Sequence, residues 1–195
     1  MIKPKNHNHF AFLTKYADPR HYDAREHIMG RINGDGLESK YASHPHFGDE
    51  HRDALMKRFA DSKGDYNIPY DAFKNGMKPE HQKILDANVG IPTISRASHL
   101  LDHISSGKAM DLFNNASNIH KQCIVMQRND VARHVLDTHD SGTLYKTALM
   151  TGEAKDEDYK KGLQSPDLIV SQLSKQLLAK KTRDGNEHQP IPDLI

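Results

Sequence analysis

Hydrophobic and polar positions follow one another most regularly over residues 105–175, where the chain advances in steps of twelve. Cut at that interval it reads SSGKAMDLFNNA, SNIHKQCIVMQR, NDVARHVLDTHD, SGTLYKTALMTG, EAKDEDYKKGLQ and SPDLIVSQLSK. Most blocks open on a small or polar residue of the kind that starts helices: Ser105, Ser117, Asn129, Ser141, Ser165. Most keep their apolar residues for the second half: Leu112 and Phe113, Ile124 and Val125, Val135 and Leu136, Ala148 and Leu149, then Leu173. One block therefore predicts one short helix. Two blocks make a helix pair of about two dozen residues, which buries its apolar side by stacking on neighbours.

The upstream half carries the same pattern more loosely. Phe10, Leu13 and Ala17 stand at helical spacing and predict a first helix that stops at Asp18-Pro19. A second is expected over 19–32, aligning Tyr22, Ile28, Met29 and Ile32, and a short one over 37–43. Further helices are expected over 48–60, with Ala54, Leu55, Met56 and Phe59 inward, then over 70–75, 78–87 and 93–104. Residues 62–69 (SKGDYNIP) and 88–92 (NVGIP) are turn-rich connectors, the first of them the hinge candidate. One phrase recurs three times, ending at His51, at His81 and at Asp158. Each copy closes one helix, turns through small residues and opens the next with acidic side chains, which complement the positive end of a helix. Valine is scarce and strict alternation absent, so no sheet is expected.

These features predict an all-α fold of short helix pairs stacked as a small α-solenoid, with a compact irregular helical bundle as the alternative. Residues 1–9 are expected as a polar lead-in, 10–179 as the helical repeat domain and 180–195 as a charged tail. The tail finishes on Ile191, Leu194 and Ile195, which suit either an ordinary solvated end or a short docking peptide. Helix pairs with a small-residue turn, an acidic first turn and a following apolar cluster resemble the HEAT-like repeats of the leucine-rich-variant type, over most of 10–178. That resemblance implies an α-solenoid whose work is to bind another macromolecule. Repeats of this kind are frequent in bacteriophage-encoded and bacterial proteins.

Composition narrows the partner. The 195 residues carry 27 basic and 26 acidic side chains, a net charge of +1, which gives no electrostatic footprint for nucleic acid or an anionic membrane. An apolar content of 36% is lean, and suits a thin stack better than a sphere. No stretch approaches the roughly eighteen apolar residues of a membrane span. The opening Met1-Ile2-Lys3-Pro4-Lys5 does not lead into a signal-peptide core. Cys123 is the only cysteine and sits in an apolar run, which reads as packing rather than reactivity. The expected location is the cytoplasm, or a larger particle such as a virion.

Three constellations bear on chemistry. Fourteen histidines raise the question of metal. His139-Asp140, with His103 or His120 upstream and Asp156, Asp158 or Asp167 downstream, looks like the H…HD…D order of HD-domain phosphohydrolases. That likeness implies His103, His139, Asp140 and Asp167 as ligands of a metal that activates water. The pair precedes Ser141-Gly142, an expected turn, whereas that family keeps its His-Asp on a helix. His44, His46 and His51 crowd a second turn without a cysteine or glutamate at recognised zinc spacing. Lys121, Arg128 and Arg133 fall in successive blocks and form the candidate partner-binding stripe, for phosphates or for a polar protein rim. Asp130, Asp137 and Asp140 lie among them, which favours a mixed, solvated face. There is no glycine-rich phosphate loop and no nucleophile elbow. The expectation is therefore a protein-binding scaffold or adaptor without catalytic residues or cofactor. A phosphohydrolase and a nucleic-acid-binding repeat protein are the alternatives.

Overall fold

A computed structural model describes residues 4, 6–17, 22–34, 36–74 and 76–186. Every regular element among them is helical, so the protein is all-α. The chain divides into two compact units, Met1–Ser105 and Ser106–Ile195. No helix among the described residues is long and apolar enough to cross a membrane.

The first unit contains α1 (His7–Tyr16), α2 (Ala24–Asn33), α3 (Ser39–Ala42), α4 (Asp49–Asp61), a 3-10 turn (Tyr70–Phe73), α5 (Pro79–Asn88), α6 (Ile91–Arg96) and a second 3-10 turn (Ser98–His103). The first helix reaches back into the expected lead-in, because the Asn6 side chain accepts the His9 amide at 2.9 Å and caps the helix there. Asp18-Pro19 lies outside the described residues. The second helix begins only at Ala24, because Asp23 caps it by accepting the amides of Arg25 and Glu26 at 2.8 and 3.4 Å. The helix expected over 93–104 breaks at Ala97 (φ −141°, ψ 66°) and continues as the 3-10 turn. In this unit α2 packs on α4 and α4 on α5, around Ile28, Ile32, Leu55, Met56, Phe59 and Leu85.

The recurring phrase has one structural meaning. Its last residue is the third of a helix, and its side chain turns back to accept the backbone N–H of the capping residue, half of a capping box. His51 Nδ1 takes the Gly48 amide at 3.1 Å, His81 Nδ1 the Lys78 amide at 3.4 Å, and Asp158 the Lys155 amide at 2.7 Å. Each of these side chains is buried and also grips a second helix. His51 Nε2–H donates to the Arg25 carbonyl at 2.9 Å, and His81 Nε2–H to Asp53 at 2.6 Å. Asp158 accepts both terminal nitrogens of Arg133 at 2.8 Å.

The connector over 62–69 lies within the first unit and is held at several points. Tyr66 donates its hydroxyl to the Ile32 carbonyl at 3.0 Å, Ile68 is buried, and Thr93 and Arg96 both donate to the Gly64 carbonyl at 3.3 Å. Gly64 adopts φ +82°, and a Cβ there would stand 2.3 Å from the Asn88 carbonyl oxygen. The division between the units falls at Ser105, not at this connector.

In the second unit each twelve-residue block holds one helix: α7 (Ser106–Asn115), α8 (Asn118–Gln127), α9 (Asn129–Thr138), α10 (Gly142–Leu149), α11 (Asp156–Leu163) and α12 (Leu168–Asn186). The last helix thus runs into the expected tail. Ser117 and Ser141 occupy capping positions, as their place in the blocks predicts, yet neither hydroxyl caps. Ser117 pairs with His120 Nδ1 at 2.8 Å and Ser141 donates to Asp140 at 3.1 Å. α7 packs on α8, α8 on α9, α9 on α10 and α11 on α12, and next-but-one contacts join α7 to α9, α8 to α10 and α10 to α12, an arrangement open to a stack or a bundle alike. The apolar pairs of the first four blocks are buried, Leu173 is half-buried, and Val170 does the packing for α12. Gly162 lets α11 approach α12 closely, since a Cβ there would meet Ser174 Oγ at 2.1 Å. Cys123 is half-buried rather than in the core.

Candidate functional site

The cation stripe is committed to holding the second unit together. Lys121 on α8 lies over the Phe113 ring of α7, its Nζ 5.3 Å from the centroid. Arg128, at the joint between α8 and α9, grips Asp130 in a fork (Nε to Oδ1, 2.9 Å) and reaches Ser106 Oγ at 3.3 Å. Arg128 holds the Asp130 carboxyl well below the usual carboxylate range. Arg133 on α9 binds Asp158 of α11 through both terminal nitrogens, Asp137 one turn along its own helix at 2.6 Å, and the Glu153 carbonyl at 3.3 Å. Asp158 is therefore a buried carboxylate stabilised first by Arg133. Of the aspartates mixed into the stripe, Asp130 and Asp137 pair with its arginines, and Asp140 is met by Ser141. Arg128 and Asp130 close the joint that opens α9, and Arg133 ties α9 to Asp158 of α11.

The members of the His-Asp set each have neighbours of their own. His103 belongs to the first unit, edge-on to Phe73 with ring centroids 4.9 Å apart, while the other three belong to the second. His139 ends α9 in extended backbone, with Nδ1 2.9 Å from Thr138 Oγ1 and its carbonyl accepting Lys161 Nζ at 2.6 Å. Asp140 is exposed beside Ser141. Asp167 caps α12, accepting the amides of Ile169 and Val170 at 2.9 and 3.3 Å. The other members considered are occupied as well: Asp156 by Lys181 at 2.7 Å, His120 by Ser117. No group of three or more potential ligands that could hold a metal ion occurs among the described residues. The His44, His46 and His51 turn separates likewise, because His51 is a core cap while His44 packs on Phe10 and accepts the His46 amide at 3.2 Å. Ile191, Leu194 and Ile195 lie outside the described residues.

What sequence reasoning passed over is a set of large apolar side chains left in solvent. Phe12 and Tyr16, one turn apart on α1, are 58% and 63% exposed, with ring centroids 5.1 Å apart. Leu168 and Ile169 open α12 at 69% and 61% exposure. Ile119 and Met126 on α8 are exposed too. Periodicity marks such residues only as apolar. Distinguishing them from core needs the neighbours that the fold supplies. No protein-family model, curated protein or solved structure matches the chain.

Proposed function

We propose that this chain is a non-enzymatic helical scaffold or adaptor that binds a protein partner, built from stacked short helix pairs. One observation carries the reading: paired, exposed apolar side chains, Phe12 with Tyr16 and Leu168 with Ile169, stand on helices whose own cores are already filled. Exposed apolar clusters rimmed by polar residues are the usual mark of a protein-binding surface. One helix per twelve-residue block in the second unit supports the HEAT-like reading, in which specificity is carried by surface side chains. With Arg128 and Arg133 spent on aspartates, a phosphate-binding stripe loses the residues that suggested it. The role fits an accessory or virion component of a phage or bacterium, working in the cytoplasm or assembled into a particle.

The experiment is a crosslinked pull-down from the native source, read by mass spectrometry. One abundant, recurrent partner is expected, with crosslinks near α1 or the start of α12. Background proteins alone would overturn the reading.

A further inference from the structure

We propose that α12 carries a docking site for a segment of this same chain: residues 187–195 turn back at the end of the helix and seat on its Leu173–Leu177 flank. The inference goes beyond the partner-binding reading and does not depend on it.

α12 packs on α10 and α11 through one side, where Val170 and Ser174 are buried. Leu173 and Leu177 stand one turn apart on the flank of that side and stay half-buried. Lys180 continues the line, about 20° around the axis from Leu173. It is exposed and makes no ion pair among the described residues, whereas Lys181 is spent on Asp156 at 2.7 Å. The flank is therefore an apolar seat with a cation beside it.

The segment that follows has matching chemistry. Residues 187–195 read EHQPIPDLI and lie outside the described residues. They bring Ile191, Leu194 and Ile195, which a solvated end does not require, and Glu187 and Asp193 with no lysine or arginine. Pro190 and Pro192 bar a continued helix and favour extended chain, which advances about 3.1 Å per residue. α12 ends at Asn186 and rises only about 1.5 Å per residue, so Leu177 and Leu173 stand about 14 and 20 Å back from its end. With two residues spent on the reversal, the remainder spans about 22 Å. Leu194 and Ile195 thus come back to the level of the two leucines. Asp193 comes within reach of Lys180, whose side chain leans toward the helix start. Ile169 stands about 26 Å from Asn186, beyond that span, so the exposed start of α12 stays open to a partner. A tether this short gives the segment an effective concentration of about a millimolar or more, so a few apolar contacts suffice to seat it.

The test is hydrogen exchange on the full chain, the parent against a variant that combines Ile191→Ser, Leu194→Ser and Ile195→Ser. Exchange across 173–183 should be about tenfold faster in that variant, the scale of burying one aliphatic side chain, with α7, α8 and α9 unchanged. Lys180→Glu should speed it about threefold, the scale of an exposed ion pair. Adding Asp193→Lys should then restore the parent rate, a rescue that a general loss of helix stability would not show. Parent and serine variant exchanging alike would overturn the docking, as would a failed rescue. Protection that rises with protein concentration would overturn it too, because the segment would then seat on a second copy. The isolated chain is used throughout, so the pull-down judges partner binding separately.

Discussion

The two units are held by different chemistry. Before Ser106 lie ten of the fourteen histidines and ten of the thirteen phenylalanines and tyrosines. These residues pack on one another: Phe10 against Tyr22, His27, Tyr41 and His44, Phe47 against His51, Phe73 against His81 and His103. The second unit packs short aliphatics, Ile124, Val125, Val131, Val135, Leu136 and Ala148, and closes its joints with arginine–aspartate forks. Asp158 and His51 show the contrast at a single position. Both are third residues of helices and both take the capping amide, but one grips an arginine and the other a backbone carbonyl. The same local device is thus compatible with an ionic or a neutral core. The choice sets how each unit answers to charge.

The largest effect is expected from Leu136→Asp. Leu136 is 1% exposed, so the new carboxylate would be buried without a partner, at a cost of about 4 kcal/mol or more. Hydrogen-exchange protection should collapse across 106–186, whereas a variant that melts like the parent would show that the aliphatic seam is misassigned. Next comes Gly64→Ala in the first unit, where a Cβ 2.3 Å from the Asn88 carbonyl oxygen and a left-handed backbone should together cost about 3 kcal/mol. Chemical denaturation checks this. A change below the usual surface range would mean that the 62–69 connector is not pinned. Arg133→Met should then cost about 2 kcal/mol, because it strands the buried Asp158 charge while Arg133 itself is only partly buried. Adding Asp158→Asn should recover part of that loss, and no recovery would mean the fork is not what joins α9 to α11.

The second unit was legible from its pattern because block length, helix length and burial coincide there. Leu112, Ile124, Leu136 and Ala148 all fall where the twelve-residue phase puts them. The first unit was less so. Its second helix starts late, at Ala24 behind the Asp23 cap, and the segment over 93–104 breaks at Ala97, because caps and turns there are settled by particular hydrogen bonds rather than by periodicity. The recurring phrase was readable as a helix start, but not the grip of His51 on Arg25, since its partner lies 26 residues away. Arg133 looked like surface for the same reason: Asp158 is 25 residues on.

The smallest and most discriminating effect is that of acid. Burial among Phe10, Tyr22 and Tyr41, with Arg31 nearby, holds His27 below its ordinary value of 6.5, and burial against Phe73 does the same to His103 although Asp102 opposes it. A histidine whose pKa is lowered on folding binds fewer protons folded than unfolded. Its contribution is complete above about 6.5 and is lost as pH falls below that value. For Asp130 and Asp158, each held below 3.8 by its arginine, the contribution is complete above about 4 and is lost only below it. Residue-resolved hydrogen exchange between pH 7.5 and 4.5, corrected for intrinsic rates, compares the two directly. Protection should fall over Met1–Ser105 while the helices of 106–186 hold theirs. Equal loss in both units, or earlier loss in the second, would contradict the division between a histidine-aromatic unit and an arginine-carboxylate one.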